Sequence, residues 1–417
     1  MINSSMPNLL LLILALGCIA GAATLKITTP GPESTPVDIT LRETPLATAL
    51  PESTSPETVD DTLAPSAVTP SPEASATPSA SATPSASATP ESSPTPALSL
   101  HERAILVDTH VETPLLISEK NIKLRLNQGQ VSLEKLRQGK VDVVFFSIFV
   151  NPYRYKKVAK SQAEFIIKAL KKELEANKDW VELATSHADI QRIVKAGKIA
   201  ALMGMEGADP IEDSLNNLDY FYKLGVRYVG PTWSTHTLMA DSSGQPKPRW
   251  KGLSKFGKMA VERMNKLGML IDVSHLSDAA FYDVIKTTKQ PIIATHSGVD
   301  GALKHSRNLS DDMLKLLSLN GGVVGIIFYP PHLEKDGKAN VDSVVKHIDH
   351  AVQVAGEDHV GLGSDFDGLD RPPPTGLKDA SDFGNLTQAL QKKKYEEARI
   401  EKVLGGNFMR VFAEVLK

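Results

Sequence analysis

The sequence predicts one α/β domain of the (β/α)8, TIM-like barrel class, and three observations predict it. Eight apolar, β-branched runs recur after residue 99, helix-period segments separate them, and the ends of the runs carry the reactive side chains. The runs are 104–110, 141–150, 199–207, 226–233, 269–275, 291–297, 322–330 and 359–366. They are mostly continuous rather than alternating, as strands buried on both faces are. Between them, 161–179, 214–225, 253–268, 277–288, 310–320 and 341–356 repeat apolar residues at helical spacing. Several of these open on Ser and close on Gly or Asn, which cap helix ends. About 320 residues hold all the repeats, which favours a single barrel over a two-domain Rossmann-like protein. The segments carry no GxGxxG or GxxxxGK(S/T), so nothing supports a nucleotide-phosphate cradle.

The region before the barrel differs in kind. Residues 1–23 read as a signal sequence, because the uncharged apolar run 9–23 is too short to span a ~30 Å hydrocarbon core comfortably and ends in small residues. Within it, Ala15-Leu16-Gly17-Cys18 resembles a lipobox, in which Cys18 would be lipidated and become the mature N-terminus. The box opens on Ala15 instead of the usual Leu, and residues 1–8 have no Lys or Arg, so cleavage near 21–23 is the alternative. Residues 24–98 are rich in Pro, Ser, Thr and Ala and near-repetitive over 76–90, so they are expected to be a disordered linker spanning ~50 Å as a coil. Their charge is −7 against −3 for the whole chain, which leaves the barrel, residues 99–417, at +4. So modest a charge argues against nucleic acid as a partner. Cys18 is the only cysteine, so an oligomer, if formed, is not disulfide-linked within the exported domain. The expected location is the cell envelope, lipid-anchored to a membrane, or otherwise secreted or periplasmic.

Six metal-ligand types fall at strand ends: His110 and Glu112 in DTHVET, Glu206 in GMEG, His275 in DVSH, His296 in ATHS and Asp365 in GSDFDG. Parallel barrel strands deliver their last residues to one common face, so these side chains are expected to converge. Three imidazoles and three carboxylates without a Cys suit Zn²⁺ in an open, catalytic site. A pair of metals ~3.5–4 Å apart would hold a hydroxide between them and polarise a carbonyl, with one carboxylate as bridge. Taken singly, each residue has a plainer reading: a strand-end His is usually a structural hydrogen-bonding residue, and Glu206 could be an N-cap. The six together favour metal. Asp108 and Asp367 border the same motifs and are expected to accept hydrogen bonds from ligand imidazoles. His101, His305, His332, His347, His350 and His359 are assigned to surface or local bonding.

These motifs, with YKLGVRYVGPTWSTHTLMADSS, GLSKFGKMAVERMNKLGMLIDVSH, and ATHSGV followed by SRN, resemble the membrane dipeptidase (renal dipeptidase) family of zinc peptidases over about residues 100–417. The resemblance implies a distorted (β/α)8 barrel with two zinc ions. It places His110, Glu112 and Asp365 on one ion, His275 and His296 on the other, and Glu206 between them. Asp365 is implied as proton acceptor and donor, Arg307 as the holder of the substrate's C-terminal carboxylate, and Tyr329 as a pocket residue. Two positions depart from the family pattern. Glu112 stands where His-x-Asp is usual, adding a methylene, and Trp233 stands where the family often has a His that stabilises the oxyanion. Indole offers only an N–H donor, and His236, three residues on, is a candidate to compensate.

The sequence therefore points to an exported zinc dipeptidase, and dipeptides with a D-residue at the C-terminal position are within the expected range of substrates. Two rivals stay open. One is another amidohydrolase-like enzyme using the same metals on a different substrate, and the other is a surface binding protein whose catalysis Glu112 and Trp233 have impaired.

Overall fold

The computed structural model describes residues 98–417, together with the backbone of two short segments, Thr24–Ile27 and Val37–Thr40. The signal sequence, Cys18 and most of the proposed linker lie outside the described residues. Within that linker the two short segments pair antiparallel, from Thr24 against Thr40 to Ile27 against Val37, a pairing the composition did not predict. Their β-branched residues are the local reason. No helix among the described residues is long and apolar enough to cross a membrane.

The eight expected strands are present as β1 (Leu106–Val111), β2 (Val141–Phe149), β3 (Ile199–Glu206), β4 (Val226–Val229), β5 (Leu270–Ile271), β6 (Ile293–Ser297), β7 (Val323–Ile326) and β8 (Val360–Leu362). All neighbouring pairs are parallel. β1 to β5 form one curled sheet in chain order, and β6 to β8 form a second. Single parallel bridges join the two: Asp272 with Ile293 on one side and Val111 with Phe366 on the other. The ring thus closes through two thin seams, and register shifts between β1 and β2, β3 and β4, and β6 and β7 distort it further. An additional strand, Val181–Leu183, pairs with the first residues of β3.

Strand burial follows the continuous apolar pattern: every residue of β1 and β3 is buried. The inner face collects Val107, Val143, Phe145, Ala200, Leu202, Tyr228 and Leu270 around Phe408, Val411 and Phe412. The last three come from the C-terminal helix Asn407–Val415, which the sequence reading did not anticipate. The outer faces pack on the surrounding helices. Ser254, Ser277 and Ser310 each accept a hydrogen bond from the amide three residues on, as N-caps do. The helix expected from Ser161 instead begins at Ala159 after an uncapped Val158, and Ser214 makes no side-chain cap.

The strands are shorter than the runs that predicted them, β4, β5, β7 and β8 most of all, and at β5 and β8 the shortening concerns the site. β5 stops at Ile271 and β8 at Leu362, while His275 and Asp365 sit beyond them in left-handed backbone, at φ 66° and 63°. That conformation cannot continue a ladder and costs an L-residue ~1–2 kcal/mol. The surrounding structure holds it: Asp365 N–H donates to His110 O at 3.0 Å, and His275 O accepts from Ser243 N–H at 2.9 Å.

Candidate metal centre

The strands bring His110, Glu112, Glu206, His275, His296 and Asp365 together at their C-terminal ends. Three overlapping groups have their ligand atoms within 4.8 Å of one another: Glu206 with His275 and His296, Glu206 with His110 and Glu112, and Asp365 with His110 and His296. Glu206, the last residue of β3, is the hinge of the arrangement. Its Oε1 lies 2.9 Å from His275 Nε2 and 3.3 Å from His296 Nε2, while its Oε2 faces His110 Nε2 at 3.6 Å. Asp365 Oδ1 stands 3.9 Å from the same His110 nitrogen. Gly368 makes room for the carboxylates, since a Cβ there would come within 2.7 Å of Asp365 Oδ1 and 2.9 Å of Glu112 Cγ.

These residues fit a divalent cation better than they fit one another. Glu206 Oε2 and His110 Nε2 are shut off from solvent without a hydrogen-bond partner, and 3.6 Å is beyond hydrogen-bonding reach. A buried, unpaired polar atom of this kind costs ~1–3 kcal/mol unless something satisfies it. His275 and His296 turn their Nε2 atoms to within 3.0 Å of each other. Burial, with the Glu206 charge next, pushes the Glu112 carboxyl well above the usual range, and burial likewise raises Asp365 to about 7. Burial and the Arg307 charge depress His275 to about 4, and burial with His110 beside it depresses His296 well below its ordinary value. Glu206 alone among the carboxyls is held low, because the imidazoles around it outweigh its burial. His110 differs from the other two imidazoles, since Glu206 and Asp365 raise its pKa against its burial. Three crowded carboxyl groups and three imidazoles are the donor set of a cation site.

The remaining predicted residues divide. Arg307 is buried, and burial lowers its pKa to about 10. One of its Nη atoms donates to His296 O at 3.2 Å, which ties it to the centre, and its Nε has no partner among the described residues. Trp233 stands beside the centre, its ring 6.4 Å from that of His275 and 4.9 Å from Phe149, with the exposed Tyr153 edge-on at 6.4 Å. Tyr329 is half-buried at the rim and donates its hydroxyl to Asp370 at 2.8 Å. His236 is not free to serve a substrate: its Nε2 lies 2.8 Å from Lys247 O and its Nδ1 accepts from Ser242 N–H at 2.9 Å. With both ring nitrogens bound to its own loop, it has no N–H left for an oxyanion.

Two further expectations are corrected. Asp108 takes the Ser364 amide and hydroxyl and the His110 amide, and Asp367 takes the Gln130 amide and the Thr113 hydroxyl. Neither touches an imidazole; both pin the segments that carry His110, at the end of β1, and Asp365, beyond β8. The imidazole Nδ1 atoms instead meet Tyr228, Thr295 and Ser234. His332, assigned to local bonding, is drawn in beside Arg307. Its ring lies 4.4 Å from that of His305, which accepts the Arg307 amide, and its Nδ1 is buried without a partner. Burial and the Arg307 charge keep it neutral. The sequence offered one signal for it: His332 closely follows the seventh strand run, on the reactive side of the barrel.

Comparison with known proteins agrees with this architecture. The family model for membrane dipeptidase, peptidase family M19, matches residues 95–417. The chain is similar to Dipeptidase tcpJ of Claviceps purpurea, 36% identical over 302 residues that cover 69% of each chain. Among solved structures it resembles the probable dipeptidase PvdM of Pseudomonas aeruginosa, with a TM-score of 0.72 and 29% identity over 76% of this chain and 96% of that one. It also resembles a Rhodobacter sphaeroides metallo peptidase liganded with a phosphinate mimic of the dipeptide L-Ala-D-Ala, with a TM-score of 0.69 and 26% identity over 75% and 99%. By this match and this fold, the chain belongs to the membrane dipeptidase family, peptidase family M19.

Proposed function

We propose that this metal-dependent dipeptidase holds two zinc ions, one at His275 and His296 and the other at His110, Glu112 and Asp365, with Glu206 between them. The observation that carries the reading is the divided carboxylate of Glu206, one oxygen toward His275 and His296 and the other toward His110. Such ions supply Lewis acidity for the scissile carbonyl and a nucleophilic water near neutral pH. The chain's own groups do the rest. Arg307 anchors the substrate's C-terminal carboxylate beside the centre, and so measures the distance to the scissile amide and excludes longer peptides. Asp365, whose side chain keeps 16% exposure, is reachable by water; it accepts the water's proton and passes it to the departing amine. Trp233, with Phe149 and Tyr153, forms an aromatic wall that takes the substrate's apolar side chain rather than an oxyanion.

The Rhodobacter sphaeroides relative, liganded with a mimic of L-Ala-D-Ala, supports including dipeptides with a C-terminal D-residue among the substrates. We further propose that the chain is exported and lipid-anchored through Cys18, with residues 24–98 as tether. The test of the catalytic reading is steady-state hydrolysis of a dipeptide panel, with L and D C-terminal residues, by full-length protein reconstituted with zinc. Turnover that requires two metal equivalents and a free carboxylate is expected. Equal rates on free and C-terminally amidated dipeptides would move the assignment to a broader amidohydrolase.

A further inference from the structure

Beneath the candidate ligands lies a hydrogen-bond arrangement whose proton directions can be deduced. Asp272 follows β5, and Thr295 lies on β6 immediately before His296. Both are fully buried. Asp272 Oδ1 accepts the amides of Ser274 at 3.0 Å and Thr295 at 2.9 Å, and its Oδ2 accepts the Thr295 hydroxyl at 2.8 Å. A carboxylate only accepts and a hydroxyl has one proton, so Thr295 spends its proton on Asp272. Toward its other neighbours the Thr295 oxygen presents lone pairs. Those neighbours are His296 Nδ1 at 2.8 Å, His110 Nδ1 at 3.3 Å and, more distantly, the Ser274 hydroxyl at 3.4 Å, which toward Thr295 can only donate.

We propose that Asp272 and Thr295 act as one tautomer lock on two ligands belonging to different metal ions. Facing an acceptor, each imidazole carries its proton on Nδ1, which leaves the Nε2 lone pair toward the centre. For His110 the nearer contact is the Tyr228 hydroxyl, 2.9 Å from Nδ1 against 3.3 Å for Thr295, a hydroxyl that can take the acceptor's part as well; among the described residues His296 Nδ1 meets Thr295 alone. The opposite tautomers would set lone pair against lone pair at Thr295, or turn its hydroxyl away and deprive Asp272 Oδ2 of its donor. One Asp-Thr pair therefore sets the coordinating state of His110 and His296 together, whereas Tyr228 touches His110 alone. Asp272 and Thr295 are positioning residues, and the inference rests on the metal reading given above.

The test uses full-length protein in a chelator-competition titration that resolves both zinc affinities, with circular dichroism and melting temperature as checks on folding. Thr295→Val keeps the β-branched shape of β6 but removes the acceptor, and should weaken zinc ~10–100-fold at both sites. Thr295→Ser should restore both, and Tyr228→Phe should weaken only the site of His110. The tautomers are read from ¹⁵N-histidine spectra of chelator-treated protein, where His110 and His296 should carry Nδ1–H. Wild-type affinity in a folded Thr295→Val, or a loss confined to the His296 site, would overturn the shared lock while leaving the two-metal reading intact. Should the valine variant not fold, Nε2–H forms in the wild-type spectrum would overturn it. A wild type that takes up no zinc would overturn the lock and the metal reading together.

Discussion

The two ends of the barrel's interior are built on opposite principles. At the N-terminal ends of the strands, Phe145 packs against Tyr228 at 5.1 Å and against Phe412 of the C-terminal helix at 5.5 Å, in a plug of apolar side chains. At the C-terminal ends, three carboxylates, three imidazoles and Arg307 crowd together, with His110 Nε2, Glu206 Oε2 and Arg307 Nε unpaired. The apolar end is complete within the chain, since dispersion and burial satisfy it. The polar end is arranged for groups that the chain does not provide. Tyr228 joins the two, its ring in the plug and its hydroxyl on His110. Gly204 makes that possible: a Cβ there would come within 1.9 Å of the Tyr228 ring.

The contrast can be broken at either end. The largest expected effect is at Glu206. Glu206→Gln should cost at least one of two zinc equivalents, measured by elemental analysis after dialysis, and lower turnover by more than ~10³, because a neutral amide cannot bridge two cations. Melting of the chelator-treated variant near neutral pH should occur below the wild-type temperature, since the imidazoles that hold the Glu206 carboxyl ionised in the fold lose their charged partner. An unchanged or higher melting temperature would mean that those pairs do not stabilise the fold without metal.

At the other end, Phe412→Ala should cost ~3–5 kcal/mol in denaturant unfolding, through lost burial and the cavity left behind. Zinc stoichiometry of the folded fraction should not change; if it does, the ends are not independent. Arg307→Ala tests the polar end without touching a metal donor. It should lower kcat/KM for dipeptides by roughly 10²–10³ with zinc content intact, equivalent to ~2–4 kcal/mol from a charge-assisted contact. C-terminally amidated dipeptides should be poor substrates that hardly respond.

Smaller changes sharpen the picture of the departures from the family pattern. Glu112→Asp should tighten one zinc site and raise turnover several-fold, whereas Glu112→Ala should lose that site; unchanged metal content in the alanine variant would exclude Glu112 as a ligand. Trp233→His separates two roles by sign. A fall in turnover on apolar dipeptides is the outcome expected of an aromatic wall, and a rise would mean that the indole has displaced an oxyanion donor.

Much of this was legible in the residues. Continuous apolar runs located the eight strands, and motifs such as DVSH and ATHS marked where their ends carry His275 and His296. The misses share a cause. Asp108 and Asp367 lie next to the ligands in sequence, yet they bond loop amides and hydroxyls instead. Thr295 and Asp272 stand inside the same motifs, but a Thr in a strand and an Asp at its end have no distinctive spacing. His236 has the right residue type near the right place, and its own loop consumes both ring nitrogens.

What the sequence determined by itself was periodicity and residue type: parallel strands buried on both faces, and ligand types at their C-terminal ends. These are local properties, carried by burial pattern and by side-chain chemistry. Only the tertiary structure decided which oxygen of Glu206 faces which imidazole, where Thr295 directs its single proton, and that His332 stands beside Arg307. Such facts depend on sub-ångström placement of groups far apart in the chain, fixed by ring closure and by left-handed backbone at His275 and Asp365.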